Sequence, residues 1–176
     1  PTPQVEPAGQ AQQGIPSTRG TKVDFLARDS TVPLNMRREK SKTNPNELIY
    51  FGTGGVRVKI DDPQIAAANA MRDDGGRSIV VLADNFVAWQ TTQYDGSGTW
   101  ELYLEGNVVF SKGTRTIFAD QMYFDASRFR GTILNADMLT PAARYDGLVR
   151  LKAKVIEQVD ENTLQAHGAA FTTSRM

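Results

Sequence analysis

Cysteine is absent from the 176 residues, and histidine occurs once, at His167. The first absence excludes a disulfide framework, a thiolate metal site and a cysteine nucleophile, and leaves the redox compartment open. The second leaves a metal centre or a Ser-His-Asp triad without partners, so His167 reads as a surface or strand-end residue. Net charge is lacking as well, 20 basic side chains standing against 20 acidic ones. No long-range field draws in a nucleic acid or an anionic membrane, and a charged partner must be met by a local patch. Apolar runs such as Ser78 to Ala83 fall far below the ~20 residues of a membrane helix. No catalytic group, metal or cofactor is expected.

What is present is a 40% apolar composition, enough to bury a core. Pro1 stands where an initiator methionine would, which suggests removal of a leader such as a secretion signal. Residues 1–20 are rich in Pro, Gln, Gly and Ala and poor in large apolar side chains, so they read as a disordered leader. Residues 21–176 form the domain. Val23 to Ala27 reads as an edge strand. The basic segment Arg37, Arg38, Lys40 and Lys42 is either a solvated loop or an anion contact.

From Glu47 onward, short runs of Val, Ile, Tyr, Phe and Thr alternate with Gly, Asp and Asn, the pattern of strands and turns. Leu48 to Phe51 and Val56 to Ile60 flank Gly52-Thr53-Gly54-Gly55, which predicts a hairpin. Asp62-Pro63 followed by Gln64 to Met71 allows one short helix. Ser78 to Trp89 predicts a long or bent strand. Further strands follow over Thr99 to Leu104, Asn107 to Phe110, Thr114 to Phe124, Thr132 to Leu139, Leu148 to Val159, Leu164 to Ala166 and Ala169 to Thr173. Lys112-Gly113 and Asp160-Glu161-Asn162 read as turns.

Internal repetition is the most informative feature, because a recurring unit implies stacked pieces that share one core. An apolar residue, any residue, then Ala-Asp occurs at Val81 to Asp84 and Ile117 to Asp120. Leu134 to Asp137 is a looser copy, and Leu151 to Lys154 replaces the acid with lysine. A second pattern carries a strand through a glycine, at Leu104 to Phe110 and Ala166 to Phe171, with Gly55 to Val58 as a fainter copy. Glycine within a strand marks a bulge or bend, and regular bends curve a sheet. The expected fold is all-β: an antiparallel jelly roll or rolled open sheet of stacked, bent strands.

Glu105-Gly106-Asn107-Val108, Ile117 with Ala119-Asp120, and Tyr123-Phe124-Asp125 resemble the repeat of the OstA-like family, the lipopolysaccharide-transport proteins of the LptA type. The ending, Leu151 to Val155, Asp160 to Thr163 and Gly168 to Thr173, resembles the close of the periplasmic domain in the LptD branch. The resemblance covers roughly Ile49 to Thr173 and is strongest from Leu102. Members of that branch tend to carry a cysteine after the paired threonines, where this chain has Ser174. The barrel that follows in that branch has no counterpart in this sequence.

The resemblance implies a non-enzymatic periplasmic domain, associated with the outer membrane, that carries lipopolysaccharide or a related lipid in an apolar groove. It also implies neighbouring jelly rolls as partners, joined through edge strands and able to stack head to tail. Burial of a ten-carbon stretch is worth roughly 8 kcal/mol at about 0.8 per methylene, against about 1.5–3 for a charge-assisted hydrogen bond. Acyl chains should therefore dominate affinity. Alternation puts Leu102, Leu104, Val108 and Phe110 on one face, joined by Ile117, Ala119, Met122 and Phe124 if a bulge shifts the register near Asp120. A groove lining and a closed core look identical at this level.

Other candidates have simpler readings. Asp84, Asp120 and Asp137 recur at equivalent points of the repeat and suit turn or bulge hydrogen bonding better than acid–base work. Trp89, Tyr94 and Trp100, near Asp95-Gly96-Ser97-Gly98, form either an edge packing cluster or a sugar-stacking platform. Met36, Met71 and Met138 read as gap fillers. A carbohydrate-binding jelly roll and a structural β-scaffold are the alternatives to lipid transport.

Overall fold

A computed structural model describes residues 20–61, 78–94, 98–141, 148–160 and 163–173. Residues 1–19 of the leader, the helix expected at Gln64 to Met71 and the loop at 95–97 lie outside the described residues. Among the described residues all regular structure is strand, arranged as one open antiparallel sheet. The strands are β1 (Lys22–Ala27), β2 (Asn35–Lys40), β3 (Glu47–Thr53), β4 (Val56–Asp61), β5 (Ser78–Ala83), β6 (Asn85–Thr92), β7 (Gly98–Lys112), β8 (Arg115–Asp125), β9 (Arg130–Pro141), β10 (Leu148–Gln158), β11 (Leu164–His167) and β12 (Ala170–Thr172).

The pairing simplifies this set to a meander of long strands, each bent once. β1 and β2 pair with β4 and β3 respectively, and β5 and β6 pair with β4 and β3 on the other side. β7 is long enough to pair with β6 along its first half and β5 along its second. β8, β9 and β10 continue in order, and β11 and β12 cover the two halves of β10. The all-β, open rolled sheet expected from the sequence is thus the architecture.

Every bend falls on one line across the sheet. On that line lie Arg28, Gly55, Asp84, Gly106-Asn107, Asp120, Asn135, Lys154 and Gly168, positions that the unbroken registers on either side set opposite one another. Backbone bonds cross it: Arg28 N–H to Gly55 O at 3.1 Å, Gly55 N–H to Asp84 O at 2.9 Å and Asp84 N–H to Gly106 O at 2.9 Å. Gly54, Gly55, Gly106, Asn107, Asn135 and Gly168 all have positive φ, which bends a strand in a way the extended region cannot. Two consecutive residues point outward at the creases of β5–β6 and β8, Asp84-Asn85 between buried Ala83 and Phe86 and Asp120-Gln121 between buried Ala119 and Met122, and bulged β7 has three, Glu105 to Asn107, between buried Leu104 and Val108. The apolar set therefore stays on the inner face after the bend.

The crease divides the sheet into two leaves that fold onto each other. Ring contacts cross between them: Phe25 on β1 stacks on Phe86 of β6 at 4.6 Å, and Phe110 meets Phe124 edge-on at 6.1 Å. In the inside corner the leaves are closest, and the row there is small: Val56 pairs with Ala83, Val108 with Ala119, and Ala136 with Ala153. This is the physical content of the repeated Ala-Asp: alanine fits the inside corner, and the polar neighbour turns out at the crease.

Three expectations are corrected. Leu48–Phe51 and Val56–Ile60 do not form a hairpin; β3 and β4 are successive halves of one bent strand, because Gly54 and Gly55, at φ 91° and 92°, supply a crease rather than a reversal. Residues 35–40, with their basic run, form strand β2 instead of a loop, since pairing to β3 satisfies one side while charged side chains protect the free edge. Asp137 is not equivalent to Asp84 and Asp120: β9 runs antiparallel to β8, so Asn135 takes the crease and Asp137 lies beyond it on the outer face.

Candidate functional site

Strand alternation brings the eight groove candidates together as four directly paired positions: Leu102 with Phe124, Leu104 with Met122, Val108 with Ala119, and Phe110 with Ile117. The register shift needed to align them lies between Glu105 and Val108, so the extra residue is at Gly106-Asn107 on β7, opposite Asp120. All eight are buried, the most accessible being Ala119 at 8%. Side chains of the two leaves fill the space between them, and the inner face in this closed arrangement is a packed core.

A second inner cluster was not singled out from the sequence. Phe25, Tyr50, Phe86 and Trp100 pack with ring centroids between 4.6 and 6.1 Å apart, and the Tyr50 hydroxyl donates to Gln90 Oε1 at 2.8 Å. Leu48, Tyr50 and Gly52 alternate along β3, which was the available signal. Gly52 is required there, since a Cβ would lie 1.9 Å from the Phe86 ring. Trp100 is 5% exposed and faces inward, whereas Trp89 faces outward and Tyr94 is fully exposed, so these three do not form one platform.

The two ends of the inner face remain open. At the amino-terminal edge, Arg38 lies opposite Tyr50 and Lys40 opposite Leu48, which puts both cations on the inner side of β2. At the other edge Phe171, opposite Leu151, is 66% exposed on the same face. No strand covers β1 and β2 or β11 and β12 on their outer sides among the described residues.

The polar candidates serve the crease and the outer surface. Asp84 accepts from Arg28 Nη1 at 3.1 Å and from Asn107 Nδ2 at 2.7 Å, and Asp120 accepts from Asn135 Nδ2 at 2.8 Å. Asp137 accepts both Nε, at 2.7 Å, and Nη2 of Arg150, which holds its carboxyl below the usual carboxylate range. His167 is exposed, 3.9 Å from Glu157. Met138 is buried, and Met36 is half exposed at the edge.

Fold and site together define a class, an open antiparallel meander creased along one line with an apolar inner face and two free edges. Comparison of the chain with protein-family models, curated proteins and solved structures finds no match.

Proposed function

We propose that this is a non-enzymatic lipid-carrying domain of the OstA-like kind, which holds lipopolysaccharide or a related lipid between its leaves and passes it toward the outer membrane from the periplasm. One observation supports it above the others: the inner face is apolar from Val23 and Phe25 at one open edge to Leu151 and Phe171 at the other. A closed β domain has no use for an apolar strip that runs out at both ends. Because the inner side chains touch across the fold, a lipid enters by parting the leaves, and acyl burial at roughly 0.8 kcal/mol per methylene offsets the core contacts given up. Arg38 and Lys40, at the mouth, suit the phosphates of a head group. Neighbouring carriers would join through the free edges by strand addition.

The test is a photo-crosslinking amino acid at Phe110 or Phe124 inside and at Phe118, 45% exposed on the outer face, with lipopolysaccharide as the probe. Labelling from the inner positions alone is the expected result. Equal labelling at all three, or none, means a closed core and rejects the reading. Arg38→Gln with Lys40→Gln should weaken binding of phosphorylated lipid and leave dephosphorylated lipid unchanged.

A further inference from the structure

The outer face of one leaf carries a feature that the lipid reading does not use. Phe51 on β3, Trp89 on β6, Tyr103 on β7 and Tyr123 on β8 place one aromatic residue on each of four adjacent strands, all pointing away from the core. Tyr103 and Tyr123 are directly paired on neighbouring strands, roughly 4.8 Å apart, and Trp89, two residues along β6 from the Val87 that pairs with Tyr103, lies diagonally from Tyr103 at about 7–8 Å. Arg37 covers the Phe51 ring at 4.6 Å and closes that end, leaving Trp89, Tyr103 and Tyr123 as the open part. The two tyrosines are held in place. Tyr103 donates its hydroxyl to Glu105 at 3.1 Å, and Tyr123 donates to Glu101 at 2.5 Å. Beyond Tyr123 a polar recess of about 470 Å³ opens, lined by Arg130, Thr132 and Glu157 among others.

We infer that this outer face binds a neutral oligosaccharide laid across the strands, its pyranose rings stacked on Trp89, Tyr103 and Tyr123 and one end in the polar recess. The Tyr103–Tyr123 interval is close to the repeat of a pyranose chain, Trp89 extends the platform diagonally, and a sugar's C–H faces suit aromatic planes. Each glutamate keeps lone pairs free beyond the one its tyrosine uses, and these accept hydroxyl protons along the chain. The same carboxylates disfavour an anionic ligand by like-charge repulsion. Tyrosine hydroxyls already fixed by hydrogen bonds lower the ordering cost of binding. The site lies on the opposite side of the sheet from the lipid-facing residues and is independent of that reading.

The sequence has two tryptophans, so Trp100→Phe leaves Trp89 as the sole fluorescent reporter on this face. That variant is titrated with maltohexaose, cellohexaose and laminarihexaose, none of which carries lipid. A saturable change in Trp89 emission with at least one of them is expected. Tyr103→Ala or Tyr123→Ala in the same background should weaken it at least about tenfold, the equivalent of ~1.4 kcal/mol. Tyr123→Phe should retain stacking and lose less, and Phe118→Ala, on the outer face of the other leaf, should change nothing. Unfolding midpoints measured in parallel separate lost binding from lost fold. Flat emission with all three sugars, or binding indifferent to both tyrosine truncations, overturns the inference.

Discussion

Gly106 shows how much of this fold rests on single residues. Its φ is +75°, and a Cβ would lie 2.7 Å from Asp84 Oδ2, the carboxylate that ties the crease to Arg28 and Asn107. Gly106→Ala therefore combines backbone strain with displacement of Asp84, and should lower stability by about 1–3 kcal/mol in urea unfolding. Asp137 makes a prediction in pH. Its carboxyl is held below its ordinary value of 3.8 first by the hydrogen bonds from Arg150, so the ionised form stabilises the folded state above that value. The contribution is lost as the pH falls through the lowered folded value. Acid unfolding of Asp137→Asn should accordingly be flatter than that of the wild type below about pH 4. Tyr123 gives a spectroscopic check on the outer face. Burial, then the bond to Glu101, push its phenol up to about 12, so its phenolate absorbance should appear above its ordinary value of 10.0 and earlier in Glu101→Gln.

For single strands, alternation and repetition were legible where they carried a packing consequence. The strands from Ser78 onward and the shared face of Leu102 to Phe124 followed from period-two patterning, because burial on one side writes itself into the sequence. Gly52 to Gly55 misled for a physical reason: the same positive-φ glycines serve a hairpin and a crease, and the difference lies in which strands pair later in the chain. The β2 charges misled as well, since an edge strand tolerates a composition that otherwise reads as loop. Trp100 shares the parity of Leu102 and Leu104, so the same alternation places it inside, and only its nearness in sequence to Trp89 and Tyr94 suggested one cluster. The inside corner makes the sharpest claim about an element. Ala136 lies between Ala119 and Ala153, where the leaves meet, so Ala136→Leu should cost about 1–3 kcal/mol through overpacking. The same substitution at exposed Ala170 should cost little, and thermal unfolding of the two variants compares them directly.

Across the whole molecule, the open topology separates stability from assembly. The core is contained between the leaves, with Phe124, Leu102, Leu104 and Ile156 at 0% exposure, so an isolated copy buries its apolar interior without a partner. The free edges differ. β2 presents acidic and basic side chains along its length and β1 carries Lys22 and Asp24 beside the exposed Leu26, whereas β12 presents Phe171 at 66% exposure beside Leu151 and has no strand beyond it among the described residues. An exposed backbone ladder with an apolar inner side chain at one end, and an edge of apolar β1 and charged β2 at the other, fits head-to-tail addition of copies or related domains, each continuing the inner face of the last. Two identical β12 edges meeting would form a closed dimer instead. Phe171→Lys should then abolish concentration-dependent growth in sedimentation velocity while leaving the urea midpoint within about 0.5 kcal/mol of wild type, as expected for an exposed position. A sedimentation series that stops at the dimer would assign the contact to paired β12 edges. Unchanged growth in Phe171→Lys would remove β12 from the contact and leave the amino-terminal edge to carry assembly alone.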